Sequence, residues 1–261
     1  MVTYYVQNFE SYTLVDTHCH LLDPRLRDEK VDLTGLEFVV EIGADVSESK
    51  EVIEFVKTDN IIYGTVGVHP HFAHEYNNEF ENWVKKTLPQ EKIVAIGECG
   101  LDYQNDVPHE LQREVFKRQI KLSHELQMPL VVHSREAFID TFNILKEHKE
   151  LLTNGILIHC FSYGCDELTL MYTELDAYFA FGGAITYKYA HIATDAIRAC
   201  PSDRIVLETD CPYLSPVPLR GTTNEPKNIK IIAQYVANIL NKPLSEIAVT
   251  TTQNAKRFFR I

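Results

Sequence analysis

The sequence predicts an α/β fold built as a (β/α)8 barrel, and three observations carry that reading. Eight short apolar runs recur along the chain, at 12–18, 36–43, 61–69, 92–98, 128–134, 155–161, 177–183 and 204–210. They are rich in β-branched residues and do not alternate polar with apolar, which is the pattern of strands buried on both faces of a parallel sheet. Helical patterns fill the intervals, so strand and helix alternate through the chain. The length of 261 residues suits such a barrel, which runs to ~250 residues as one domain. A doubly wound open sheet is the alternative that the same alternation allows.

The elements follow in order. YTLVDTH and LEFVVEIG form the first two strands, and 47–57 then places Val52, Ile53 and Val56 on one helical face. IIYGTVGVH and KIVAIGE are strands three and four. Residues 108–127 open with Pro108, suited to a first helical turn, and carry Leu111, Val115, Ile120 and Leu122. MPLVVHS precedes a helix at 135–149 that holds Phe138, Phe142 and Leu145. GILIHCF and AYFAFGG lead to a shorter helix at 190–199, and RIVLETD is the last strand. Helices at 227–240 and 244–258 each begin just after a proline. No linker or low-complexity stretch interrupts the chain, so residues 1–261 read as a single domain. Residues 1–13 are an N-terminal extension whose Tyr4, Tyr5, Phe9 and Tyr12 are expected to pack across the barrel bottom.

Composition excludes some functions. Hydrophobic residues at 45% and charged residues at 24% exclude a disordered or fibrous chain. Twenty-five Lys+Arg against 37 Asp+Glu leave −12, which disfavours coating nucleic acid or a membrane through bulk charge. Bound cations would still make a local positive site. The six cysteines form no CxxC pair, and reduced thiols in a cytoplasmic protein are expected. No signal peptide is visible, and no run approaches the ~20 apolar residues of a spanning helix. No membrane association and no stable protein partner are expected.

Ionisable residues gather where the strands end. They are Asp16, His18 and His20; His69 and His71; Glu98; His133 and Arg135; His159; and Glu208 and Asp210. The C-terminal rim is where barrels build active sites, and these residue types are rarely buried without a partner or a metal. Side chains at i and i+2 of a strand point the same way, so His18 and His20 can reach one cation. His133, His159, Glu98 and Asp210 add two imidazoles and two carboxylates. That exceeds the needs of one four-coordinate ion with an open position and suits two ions ~3.5–4 Å apart with a bridging carboxylate. Cys19, Cys99, Cys160 and Cys211 each follow one of these residues, so alternation should turn their thiols toward the helices.

DTHCHL at 16–21, GVHPH at 67–71, GECGLDY at 97–103, HSREA at 133–137, HCFS at 159–162 and ETDCPYL at 208–214 resemble the motif series of the TatD family of metal-dependent deoxyribonucleases. That family is a branch of the amidohydrolase-type barrels, so the resemblance implies a TIM barrel of the metal-dependent hydrolase type. Arg220-Gly221, Asn224-Glu225-Pro226 and Asn254 are similar to the family as well. The resemblance implies that His18, His20 and Asp210 hold one divalent ion, that His133 and His159 hold another, and that Glu98 bridges them. It implies a water between the ions as nucleophile, with Asp210 placed to take its proton. Its expected activity is phosphodiester hydrolysis in DNA, from a single strand or a 3′ end, with two Mg²⁺, Mn²⁺ or Zn²⁺ ions. Two departures stand out: Cys99 where the family has an apolar residue, and an extra Tyr163 before Gly164, in the loop expected over the substrate.

Other residues carry lesser expectations. His69 is positioned to donate to a phosphate oxygen, and Arg220 either clamps a phosphate or pairs with Glu208 or Asp210. Glu208 either orients a ligand or pairs an arginine such as Arg135. Asp102 and Tyr103 are expected to line the cleft. His71, His74, His109, His124, His148 and His191 read as loop or helix residues. The alternative function is hydrolysis of an ester, amide or lactone. Other amidohydrolase-type barrels that do this frequently bridge their ions with a carboxylated lysine, and Glu98 stands against it.

Overall fold

The computed structural model describes residues 12–27, 29–88 and 92–261. Its strands are β1 (Leu14–Cys19), β2 (Leu36–Glu41), β3 (Ile62–Val66), β4 (Ile93–Asp102), β5 (Leu130–Arg135), β6 (Ile156–Ile158), β7 (Tyr178–Phe181) and β8 (Ile205–Leu207). They lie side by side in sequence order, and every neighbouring pair is parallel. Beyond β8 the chain meets β1 again: Asp210 N donates to His18 O at 2.9 Å, and His20 N donates to Cys211 O at 2.8 Å. The sheet thus curls back on itself, and the barrel holds where an open sheet was the alternative.

The helices are α1 (Val46–Phe55), α2 (Asn78–Thr87), α3 (His109–Glu125), α4 (Phe138–Glu147), α5 (Cys165–Leu175), α6 (His191–Ala199), α7 (Ile229–Leu240) and α8 (Leu244–Phe259). Their starts follow local chemistry. Asp45 caps α1 by accepting Glu48 N at 2.7 Å, and Asn77 caps α2 by accepting Phe80 N at 2.9 Å. Pro108 and Pro243 stand immediately before α3 and α8. The strict alternation is broken at two places. Among the described residues no α-helix joins β1 to β2, and both α7 and α8 follow β8.

Side-chain alternation divides the core. Val15, Phe38, Val40, Val94, Val131, Leu157, Ala180 and Val206 form a cluster with Phe258 and Phe259 of α8. Their strand neighbours, such as Leu130, Val132, Ile156, Ile158, Ile205 and Leu207, join a larger cluster with the helices. His133, His159 and Glu208 stand two residues beyond Val131, Leu157 and Val206. They continue the inner column to the barrel mouth. Cys19, Cys99 and Cys211 are buried in the helical layer, as expected. Cys160 is not: it lies past the end of β6 with φ +45°, where alternation no longer governs, and lines the cleft at the mouth. Of the N-terminal extension only Tyr12 and Thr13 are described. Tyr12 packs against the larger core, while Tyr4, Tyr5 and Phe9 lie outside the described residues.

Candidate active site

Glu98, near the middle of β4, is the hub of the mouth. One oxygen lies 2.7 Å from His133 Nδ1, 2.9 Å from His159 Nε2 and 3.7 Å from His69 Nε2. The other lies 3.4 Å from His18 Nε2. On the β1 side, Asp210 Oδ1 is 3.5 Å from His20 Nε2 and 3.9 Å from His18 Nε2. The His18 and His159 rings stack at 3.9 Å. All six residues expected to ligate metal are therefore neighbours around one point.

Electrostatics supports cations at this point. Burial would raise the pKa of Glu98, but His159, His69 and His18 overcome it and hold the carboxyl well below the usual range. Burial likewise opposes ionisation of Asp210, and the imidazoles beside it, His20 first, reverse the shift. Burial pushes His18 down and His69 well down, whereas the carboxylates beside them outweigh burial and raise His133, His159 and, to about 9, His20. Several buried atoms make no hydrogen bond within the protein: both His18 nitrogens, His133 Nε2, His159 Nδ1 and Glu208 Oε2. Asp16, Glu41, Glu98, Asp102 and Glu208 are buried, and no lysine or arginine is buried with them among the described residues. Orphaned imidazole nitrogens beside an excess of carboxylates fit divalent cations. Two compact groups, His18–His20–Glu98 and Glu98–His133–His159, share Glu98.

Outside this ring, Glu208 accepts Cys160 N at 2.7 Å, with its Oε1 3.4 Å from His159 Nδ1. It stands behind the His159 ring. Of the two expectations for it, pairing with Arg135 is the one not met, because Arg135 is exposed on the cleft wall. His69 Nδ1 accepts His71 N at 3.1 Å, so the neutral ring carries its proton on Nε2, toward Glu98. Arg220 is exposed, with its guanidinium 4.3 Å above the Tyr187 ring rather than on Glu208 or Asp210. Asp102 is buried beneath the cleft, 3.0 Å from His71 Nε2 and 3.4 Å from His133 Nε2. Tyr103 turns away to donate to Asp140 and stacks on His109. Tyr163 hydroxyl meets Ser134 Oγ at 2.9 Å, tying the loop after β6 to the end of β5.

Two buried acids had no assigned role in the sequence. Asp16 accepts Thr209 N at 2.8 Å and Thr209 Oγ1 at 2.5 Å, and so joins β1 to the residue between Glu208 and Asp210. Burial raises its pKa to about 7. Glu41 ends β2 and accepts two backbone N–H groups of the chain after His20. Its signal was visible: a carboxylate inside LEFVVEIG, a run buried on both faces.

A parallel barrel with this cluster at the C-terminal ends of its strands defines a hydrolase that works with divalent cations. Residues 15–260 match the family model described as TatD related DNase. The chain is 38% identical over 255 residues to the uncharacterized metal-dependent hydrolase YabD of Bacillus subtilis strain 168, covering 95% of this chain and 99% of that one. It is 34% identical over 260 residues to the uncharacterized metal-dependent hydrolase YcfH of Escherichia coli K12, covering 95% and 96%. The crystal structure of YjjV, a TatD homologue from Escherichia coli K12, matches with a TM-score of 0.88 at 26% identity, covering 95% of this chain and 98% of that one. The chain belongs to the TatD related DNase family and is a metal-dependent hydrolase.

Proposed function

We propose that this hydrolase cleaves phosphodiester bonds in DNA and that its site holds two divalent cations, Mg²⁺, Mn²⁺ or Zn²⁺. The observation that carries the reading is the position of Glu98 between two groups of imidazoles. His18, His20 and Asp210 would hold one cation and His133 and His159 the other, with Glu98 shared. Bound there, the cations would lower the pKa of a water and offset charge on the phosphate.

The chain's own groups have distinct tasks. Asp210, on the cleft wall, accepts the proton of the attacking water as its oxygen bonds to phosphorus and the P–O bond to the leaving strand breaks. His69 donates its Nε2–H to a phosphate oxygen. Stacking on Tyr187 occupies only the face of the Arg220 guanidinium, so its in-plane N–H groups remain available to a phosphate. The cleft has a volume of about 360 Å³, near the small end of ligand pockets at ~300–1,000 Å³. That size supports entry of a single strand or a 3′ end. The six free cysteines support a reducing, cytoplasmic setting.

The test is a metal-reconstituted assay on short single-stranded DNA labelled in turn at each end, with Asp210→Ala as control. Stepwise loss of nucleotides, abolished by EDTA and by the substitution, is expected. Inertness toward DNA with every divalent ion, alongside turnover of a phosphate-free ester or lactone, would replace this reading with the amidohydrolase-like one.

A further inference from the structure

We infer that Glu41 is a positioning residue for His20, acting through the backbone of the turn that leaves β1. The inference rests on the proposed role of His20 as a cation ligand. Glu41 has no solvent exposure, and a carboxylate is costly to bury unless its oxygens are hydrogen-bonded. Both are: Oε2 accepts Leu21 N at 2.7 Å and Oε1 accepts Leu22 N at 3.0 Å. Across the β1–β2 ladder Glu41 pairs with Cys19, the residue before His20.

The consequence lies in where those N–H groups sit. At His20 the chain leaves the ladder and turns over the barrel mouth. His20 N donates to Cys211 O at 2.8 Å, and Asp23 N donates to His20 O at 3.2 Å. The two N–H groups between them both go to Glu41, so the turn's donors are fully paired and one side chain supplies half of the acceptors. His20 begins that turn, with Nε2 3.5 Å from Asp210 Oδ1. A ligand must be held to within ~0.5 Å of its working position by the groups around it. The turn also carries Arg25, whose guanidinium lies 4.4 Å over Tyr213 on the cleft wall. Without Glu41, two buried N–H groups lose their acceptors, and the segment bearing His20 can meet them only by moving.

The experiment compares full-length wild type, Glu41→Gln, Glu41→Ala, His20→Ala and the double variant Glu41→Gln/His20→Ala. Mn²⁺ affinity is read by calorimetry, and the melting temperature is read in EDTA. Glu41→Ala is expected to weaken Mn²⁺ binding ~10–100-fold, the range for residues that orient ligands. Glu41→Gln keeps one acceptor, should weaken binding less, and carries the test if the alanine variant does not fold. Glu41→Gln should cost nothing further once His20 is alanine, because it acts through that ring. Wild-type Mn²⁺ affinity in the Glu41 variants, with only the melt lowered, would mean a merely structural role and overturn the inference. An unchanged affinity in His20→Ala would instead remove His20 as a ligand, and the inference with it.

Discussion

Glu208 has no solvent exposure and stands behind one ring of the site. Its Oε1 is the acceptor for Cys160 N and faces His159 Nδ1, while His159 Nε2 faces Glu98. Burial opposes charge on His159, but Glu98 and Glu208 outweigh it and hold its pKa well above the usual imidazole value. Glu208→Ala should lower cation affinity ~10–100-fold, checked by competition with a chelator. Wild-type affinity in that variant would refute the orienting role. His69 gives the opposite pattern. Its Nε2 is 3.7 Å from Glu98, but its proposed task is on the substrate. His69→Ala should raise KM with bound metal unchanged, and loss of metal on elemental analysis would move His69 into the ligand set. The six ligand candidates were legible because each sits within a short motif in or just after an apolar run, although β4 continues to Asp102, past Glu98. Asp16 and Glu41 could be seen as carboxylates in apolar runs, but their tasks could not, because their partners, Thr209, Leu21 and Leu22, are contributed by other strands or the turn beyond them. Sequence spacing carries no record of such contacts.

At the scale of elements, the geometry of β4 against β5 sets how the site is held. Gly100 pairs with His133 and has φ +138°. A Cβ there would lie 2.0 Å from His133 O. Any side chain must push β4 off the strand that carries His133. Gly100→Ala combines that clash with a backbone conformation costing ~1–3 kcal/mol by itself. At ~2–4 °C per kcal/mol for a chain of this size, the melt should fall by at least about 2 °C in a thermal scan. A variant melting with the wild type would show that the two strands can separate freely. The eight strands were legible because burial on both faces leaves unbroken apolar runs. Helices α2 and α5 were not. NEFENWVKKT has only Phe80 and Val84 buried, and CDELTLMYTEL only Leu168 and Met171, too few to set a helical period. Alternation also fails where the strands stop. Glu136, Cys160 and Asp210 have positive φ just past β5, β6 and β8, and there Cys160 lines the cleft. Functional rims are where local rules give way.

For the molecule as a whole, the barrel's two ends carry opposite chemistry. One end is closed by Phe258 and Phe259 against the apolar inner column. The other collects Asp16, Glu98, Asp102, Glu208 and Asp210 around five imidazoles, with nitrogens on His18, His133 and His159 that make no hydrogen bond. Like charges packed into a low-dielectric rim repel, and that repulsion grows when compensating cations leave. The strands bearing these groups include β1 and the segment after β8, which meet through only a few backbone bonds. Cations that bind the folded rim and not the unfolded chain stabilise by mass action, ~2.7 kcal/mol at a free concentration of 100 Kd. With the same conversion of ~2–4 °C per kcal/mol, stripping them should lower the melting temperature by about 5–10 °C. Readdition of Mn²⁺ should restore it, and Glu98→Ala, which removes the shared carboxylate, should abolish most of the difference. A scan in EDTA that superposes on the metal-loaded scan would mean that the rim holds its shape without the ions, leaving them a role in the chemistry alone.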